Sequence, residues 1–455
     1  MPDTIAACSS GSMPCGIAVL RLSGDRAAEI LDKVFIPRAK TPVSQAQPRK
    51  LYYGRLLARD GRTLDLCMAA FFPGPNSYPG EDLAEFYTHG SQPVAAGLLE
   101  HCYALGAIPA PPGEYTRRAF LAGRMDLTEA EAVADLIHAQ SELAAKAAAA
   151  QLEGSVGSRV QAVRQQLLAL LAHFYAVCDY TDEDLEAFDY AHAGEVLEQA
   201  RAELSQLLAG FRRGQLVREG VPVAIIGRPN GGKSTLFNAL AGEQKAIVTD
   251  EAGTTRDVLE QVISCSGAPI RILDTAGLRS SDSKAERMGV QRARDAAQRA
   301  RAVLCVLDSS SPLSPEDEDA LALSQEAPCR ALVLNKTDLA PEEPSWLPAL
   351  LEQYTFDARF HLSAIHGQVE PLADWLSQLA PQPGEVLVTS ARQARLMEQA
   401  LEDLRAALDS ARAGLTADAF LSDAERAINT LGQITGETVS ADLAQEIFSR
   451  FCVGK

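Results

Sequence analysis

Gly227-Arg228-Pro229-Asn230-Gly231-Gly232-Lys233-Ser234 sets glycines, a lysine and a hydroxyl at the spacing G-x-x-x-x-G-K-[ST]. The apolar run Val221-Pro222-Val223-Ala224-Ile225-Ile226 precedes it and the helix-forming Thr235-Leu236-Phe237-Asn238-Ala239-Leu240 follows, which predicts strand, loop and helix in that order. Such a loop suits a polyphosphate. Its glycines let backbone N–H groups converge on phosphate oxygens at the positive end of a helix, Lys233 brings a point charge to the β and γ oxygens, and the Ser234 hydroxyl is placed to ligate Mg²⁺. A plain Gly-rich turn is the alternative, and the flanking strand and helix argue against it.

Three further motifs follow apolar runs. Asp274-Thr275-Ala276-Gly277 comes directly after Ile270-Arg271-Ile272-Leu273, where a carboxylate can reach a metal ion through water and a glycine N–H can meet a γ-phosphate. Asn335-Lys336-Thr337-Asp338 comes after Ala331 to Leu334. A carboxylate at 338 can accept both N–H donors of the guanine edge while Asn335 contacts the O6/N7 side; adenine would leave the buried carboxylate unpaired, so guanine is selected. Ser363-Ala364 is a candidate backbone contact to the base, although a dipeptide carries little information. Gly253-Thr254-Thr255-Arg256-Asp257 lies where a switch segment ordered by γ-phosphate and Mg²⁺ is expected, with Thr255 as the second hydroxyl ligand and a Thr-rich turn as the alternative.

After Gly277 stands Leu278, where many regulatory GTPases carry a water-orienting Gln. Something else must position the attacking water. Asn230 could hold a monovalent cation near the β/γ bridge through its amide oxygen, and Glu286 lies nearby in the polar segment Arg279 to Arg287. By itself, a charged residue in such a segment is more often a solvated surface group.

These motifs need a scaffold. Between 218 and 380, β-like runs alternate with helical stretches, the pattern of a mainly parallel sheet covered on both faces, so an α/β P-loop domain is expected there. Residues 1–118 mix short β-like runs (Ile17 to Leu22, Leu66 to Phe72) with turn signals, as in an α+β domain. Residues 119–217 turn Ala-, Leu-, Gln- and Glu-rich, and Thr128-Glu129-Ala130-Glu131 reads as a capping box opening a helix. Helical character returns over 381–455, with Leu396, Ala400, Leu404 and Ala407 on one face. The expected organisation is multidomain, with the nucleotide domain inserted between two halves of an α-helical bundle domain.

Composition narrows the class further. With 47% hydrophobic and 22% charged residues, globular domains are favoured over disorder. No apolar run approaches the ~20 residues of a membrane helix and no secretory leader opens the chain, so a cytoplasmic location is expected. The nine cysteines, at 8, 15, 67, 102, 178, 265, 305, 329 and 452, form no Cys-x-x-Cys pair and read as reduced thiols. The formal net charge of -18 opposes non-specific attraction to a phosphate backbone. The acidic stretch Asp179 to Glu186 reads as a solvated helix face.

Outside the nucleotide motifs, Arg21-Leu22-Ser23-Gly24, Gly80-Glu81-Asp82-Leu83-Ala84-Glu85 with His89-Gly90, Pro112 to Phe120, Asp126 to Ala132 and the terminal Cys452-Val453-Gly454-Lys455 together resemble the MnmE (TrmE) family of bacterial tRNA-modification GTPases over essentially the whole length. The resemblance implies a GTPase that works with an FAD- and NADH-dependent partner, MnmG, to install an aminomethyl or carboxymethylaminomethyl group at C5 of the wobble uridine in certain tRNAs. Methylene-tetrahydrofolate would supply the carbon. By motif match, Arg21, Glu85, Arg124 and Lys455 would contact the folate in an N-terminal domain that also makes a homodimer; the family commonly has Lys at the position of Arg124. The resemblance further implies a K⁺ that brings two G domains together in place of an arginine finger. Asn230, Thr249, Glu251 and Thr254 would hold it, and Glu286 would orient water, which reverses the bland reading of that residue. The nucleotide contacts then run through Asn230 to Thr235, Thr249-Asp250-Glu251-Ala252-Gly253-Thr254-Thr255, Asp274 to Gly277, Asn335 to Asp338 and Ser363-Ala364. Cys452, with no visible base beside it, is better read as structural or as part of the folate pocket than as a nucleophile. The negative charge implies that much of the tRNA contact belongs to MnmG. A ribosome-assembly type GTPase switch is the rival reading; a non-hydrolysing nucleotide scaffold fits poorly with an intact Lys233, Ser234, Thr255 and Asp274 set.

Overall fold

The computed structural model describes the chain apart from residues 1–2, 12, 40, 180–188, 243–259, 274–285, 382–387, 413–416, 450 and 455. Contacts divide it into two compact units, one of Met1–Ala134, Leu152–Arg201 and Gln399–Lys455, the other of Asp135–Gln151 and Ala202–Glu398.

In the first unit, β1 (Ile5–Cys8), β2 (Cys15–Ser23), β3 (Phe35–Pro37), β4 (Tyr52–Leu57), β5 (Thr63–Phe72), β6 (Leu83–Gly90) and β7 (Ile108–Pro109) form a seven-stranded sheet in the order β3-β4-β5-β6-β2-β1-β7. The pairs are antiparallel except β1 with β7. Alternation along β2 sends Ala18, Leu20 and Leu22 into one core, where they meet Ile30 and Leu31 of helix Ala27–Val34 and Leu98 of helix Gln92–Ala104. Arg21 and Val19 therefore project from the other face. There the sheet keeps Ile17, Tyr53, Leu66 and Met68 exposed, while Tyr115 of helix Glu114–Leu121 is fully buried with Ile5 and Leu83.

Helices make up the rest of this unit. Gly157–Asp179 packs along Ala417–Thr435, and the helix Leu127–Ile137 joins Phe448 and Phe451 in a small core through Leu127 and Ala130. The capping box of that helix lies two residues earlier than the sequence suggests. Asp126 Oδ1 accepts from the Glu129 N–H at 2.8 Å, and Glu129 Oε2 accepts from the Asp126 N–H at 2.8 Å. Asp is as good an N-cap as Thr, and Thr128 instead donates its hydroxyl to Asp126. Of the acidic stretch Asp179 to Glu186, only the backbone of Asp179 falls within the described residues, as the end of its helix.

In the second unit, β8 (Val221–Ile226), β9 (Glu260–Cys265), β10 (Ala268–Leu273), β11 (Ala302–Asp308), β12 (Cys329–Asn335) and β13 (Ala358–His361) form a six-stranded sheet ordered β13-β12-β11-β8-β10-β9. All pairs are parallel except β9 with β10. Both faces are covered, which explains the continuous apolar runs. Val223, Ile225, Leu304 and Val306 face helices Lys233–Ala241 and Glu370–Ser377; Ala224, Ile226, Val303, Cys305 and Leu307 face helices Glu286–Arg299, Pro315–Ser324 and Leu347–Gln353. Burying one such Leu or Ile side chain contributes about 1.5–3 kcal/mol. The fold class is thus an α+β N-terminal domain, helical elements and an α/β P-loop domain, as the sequence indicates. Helix Glu142–Leu152 lies against this sheet's hairpin, with the Leu143 N–H donating to the Gly267 carbonyl at 3.2 Å.

Candidate functional site

In a parallel α/β sheet, ligands bind beyond the carboxyl ends of the strands. The loop Gly227 to Gly232 leaves β8 there and enters helix Lys233–Ala241. Its first glycine has φ +147, and a Cβ on it would lie 2.3 Å from the Val306 carbonyl oxygen, so only glycine lets the loop pass this close to β11. Asn230 takes the left-handed conformation (φ 61) and is exposed, with its amide free of the protein core. Lys233 Nζ donates to the carbonyls of Gly227 and Arg228 at 2.8 and 2.7 Å, which folds the ammonium over the loop it serves. Burial holds that lysine below its ordinary pKa, and the Asp317 carboxylate only partly opposes this. Ser234 and Thr235 are exposed at the helix N-terminus, where a hydroxyl can meet a hydrated divalent cation.

The base loop leaves β12 beside it. Asn335, 2% exposed, donates its side-chain amide to the Gly231 carbonyl at 3.2 Å and accepts from the Ala364 N–H at 3.1 Å. Ser363, beyond β13, donates its hydroxyl to Asp338 Oδ1 at 2.6 Å. Thus Asn230 to Ser234, Asn335 to Asp338 and Ser363-Ala364, scattered in sequence, stand at one end of one sheet. A Cβ on Gly232 would come within 2.1 Å of the Asn335 amide nitrogen, so the two loops leave each other no spare room.

Other expected contacts lie outside the described residues: Thr249, Asp250, Glu251, Ala252, Gly253, Thr254 and Thr255 in one segment, and Asp274, Thr275, Ala276, Gly277 and Leu278 in another. Glu286 opens the helix Glu286–Arg299, and its side chain is likewise outside the description.

Residues that the sequence reading passed over also gather here. Arg228 Nη2 donates to Asp308 Oδ2 at 3.3 Å, and Lys336 Nζ donates to the same oxygen at 2.7 Å. Burial pushes the Asp308 carboxyl up, but the hydrogen bonds from Lys336 and Ser310 outweigh it and bring the pKa down to about 2. A carboxylate ending an apolar parallel strand, at the ligand-binding end of the sheet, was the signal for it.

A second polar site lies in the first unit. Arg21 on β2 stands opposite Glu85 on β6, and Arg21 Nε meets Glu85 Oε1 at 2.9 Å. The Tyr87 hydroxyl donates to Glu85 Oε2 at 2.5 Å, and burial, then this bond, push the phenol up to about 12. The Arg21 guanidinium lies 5.6 Å from the centre of the Tyr78 ring. The chain's end is strapped to the same place: the Gly454 carbonyl accepts from the Ser9 hydroxyl at 2.7 Å and from Arg21 Nη1 at 3.4 Å, while the Gly113 N–H donates to the Cys452 carbonyl at 3.2 Å. Arg124 donates Nη1 to the Pro75 carbonyl at 3.0 Å, and Lys455 is outside the described residues. The eight cysteines with described side chains, Cys452 among them, are free thiols.

The chain matches the family model described as MnmE helical domain over residues 127–452, and the one described as GTP-binding protein TrmE N-terminus over residues 4–124. It is 40% identical over 457 residues to the tRNA modification GTPase MnmE of Synechococcus sp. (strain JA-3-3Ab), covering 100% of this chain and 99% of that protein. It is 37% identical over 461 residues to the protein of the same name from Natranaerobius thermophilus, with the same coverage of each.

Proposed function

The chain belongs to the MnmE family of tRNA modification GTPases, and on that footing we propose that it hydrolyses GTP in a K⁺-dependent manner and, with an MnmG partner that uses FAD and NADH, adds an aminomethyl or carboxymethylaminomethyl group to C5 of the wobble uridine in certain tRNAs. GTP hydrolysis and tRNA modification are the family's activity; the cation, the partner and the one-carbon source are the finer part of the proposal.

In the nucleotide site, loop N–H groups and Lys233 hold the phosphates, and Asp338 and Asn335 hold guanine. Ser234, exposed beside Lys233, suits Mg²⁺ as a hard oxygen donor, with Thr255 as its companion. Asn230 suits K⁺ through its exposed amide oxygen, with Thr249, Glu251 and Thr254 completing the set. Bound there, such a cation supplies positive charge to the transferring phosphoryl group. Glu286 orients the water in place of the Gln that Leu278 replaces.

The observation that carries the folate half is the Arg21–Glu85 pair, 2.9 Å apart and joined by the chain's C-terminal carbonyl groups. A buried carboxylate accepts from the two adjacent N–H groups of a pterin ring by the same chemistry that suits Asp338 to guanine. Arg21 supplies the complementary cation, and Arg124 and Lys455 complete the site. Methylene-tetrahydrofolate bound there supplies the one-carbon unit.

A homodimer through the N-terminal sheet is supported by its uncovered face, where Tyr53 stands opposite Met68, Met68 opposite Tyr87 and Tyr87 opposite Val19. Among the described residues no helix is long and apolar enough to cross a membrane, and we place the protein in the cytoplasm with tRNA held largely by MnmG.

A titration of the full chain with a reduced folate, alongside Arg21→Ala, tests this reading. Saturable binding that weakens at least tenfold in the variant, together with modified wobble uridine when MnmG, tRNA, GTP and methylene-tetrahydrofolate are supplied, is the expected result. Absence of saturable folate binding would favour the ribosome-assembly type switch.

A further inference from the structure

Asp308, the last residue of β11, is 8% exposed and receives two cations on one oxygen: Arg228 of the phosphate loop at 3.3 Å and Lys336 of the base loop at 2.7 Å. Arg228 is held further by the Ser311 hydroxyl and by Asp317, whose Oδ2 lies 3.4 Å from its Nη1. Asp317 in turn is fixed by the capping box of helix Pro315–Ser324, where Ser314 and Asp317 bond reciprocally. Neither Arg228 nor Asp308 has a place among the phosphate, base or metal contacts assigned above.

Both loops adopt conformations that need support. Lys336 has φ 64 and Asn230, two residues after Arg228, has φ 61. A non-glycine residue in the left-handed region costs on the order of 1 kcal/mol and persists only where its surroundings hold it there. The bonds to Asp308 grip the side chain of Lys336 itself and the loop two residues before Asn230.

We propose that Arg228 and Asp308 are positioning residues that clamp the phosphate loop to the base loop, so that the two halves of the nucleotide site are set together before the ligand arrives. This rests on the guanine-nucleotide reading of the site. The clamp acts on binding. It touches neither the attacking water nor the metal ligands, so hydrolysis at saturating GTP does not depend on it.

Affinities for a fluorescent GDP analogue and for GTP, with single-turnover hydrolysis, are measured in the full chain for Arg228→Gln, Asp308→Asn and the double variant, with melting curves as a folding check. Each single change should weaken GDP and GTP alike by about tenfold. The double variant should be little worse than the weaker single one, because either change opens the same clamp. Hydrolysis at saturation should stay within about twofold, and Arg228→Lys should recover part of the affinity. A residue that merely supports the fold gives no such non-additivity. Losses that multiply in the double variant, unchanged affinity in Arg228→Gln, or slower hydrolysis with intact binding would each overturn the clamp. Arg228→Gln changes a partly exposed side chain and still decides the matter should Asp308→Asn fail to fold. Failure of the wild-type chain to bind GDP would instead count against the nucleotide reading itself.

Discussion

The side-chain amide of Asn335 reaches the carbonyl oxygen of Gly231 at 3.2 Å, so the loop that reads the base and the loop that cradles phosphate share a hydrogen bond across 104 residues of sequence. The other end of the same amide accepts from the Ala364 N–H at 3.1 Å. One buried side chain thus ties three loops together.

Replacing Asn335 with Ala leaves the Gly231 carbonyl and the Ala364 N–H without their partner, each at a cost of about 1–3 kcal/mol if water cannot replace it. Guanine-nucleotide affinity is expected to fall at least tenfold, and the melting temperature by several degrees. Calorimetric titration with GDP and a thermal melt measure both; an unchanged affinity would mean that the loops are held by other contacts.

Asp338→Asn exchanges a carboxylate that accepts two N–H donors for an amide that offers one acceptor and one donor pair. GTP affinity should drop by about a hundredfold or more, while xanthine nucleotides, which present a carbonyl where guanine presents its amino group, should gain. Competition between GTP and XTP reads the switch. A uniform loss for both bases would place Asp338 in loop structure, through its bond to Ser363, rather than in base recognition.

The Lys233 ammonium sits below its ordinary pKa of 10.5 because it is buried. Bound phosphates favour the charged form, so nucleotide binding raises that pKa again. Affinity is therefore full below the depressed value and falls as pH rises through it towards 10.5. In the nucleotide-free protein the same depression costs stability at neutral pH, and the cost disappears as pH rises through that window. Guanine loses its own N–H proton in alkali, which lowers affinity in any variant, so the readout is the difference from Lys233→Arg, whose guanidinium stays charged. The wild type should decline more steeply; parallel curves would contradict the assignment.

The strands of the second unit were legible because a parallel sheet covered on both faces must be apolar along its whole length, as Ala302 to Leu307 are. The loop motifs were legible because G-x-x-x-x-G-K-S and Asn-Lys-x-Asp keep their chemistry in fixed local spacing. Asp308 and Arg228 were not, since a salt bridge between residues 80 apart leaves no trace in local pattern. The capping box was misplaced by two residues because Asp126, Thr128 and Glu129 all carry capping chemistry, and only packing at Leu127 decides which one starts the helix. The Arg21–Glu85 pair needed the antiparallel register of β2 with β6, which period-two alternation predicts within a strand but not between strands.

The most direct test of the central claim is GTP turnover by the full chain in KCl against NaCl at equal ionic strength, for the wild type and Glu286→Ala. The account predicts turnover at least tenfold faster in KCl, and loss of that turnover in Glu286→Ala with GDP binding retained. Equal rates in the two salts, or an active Glu286→Ala, would contradict it.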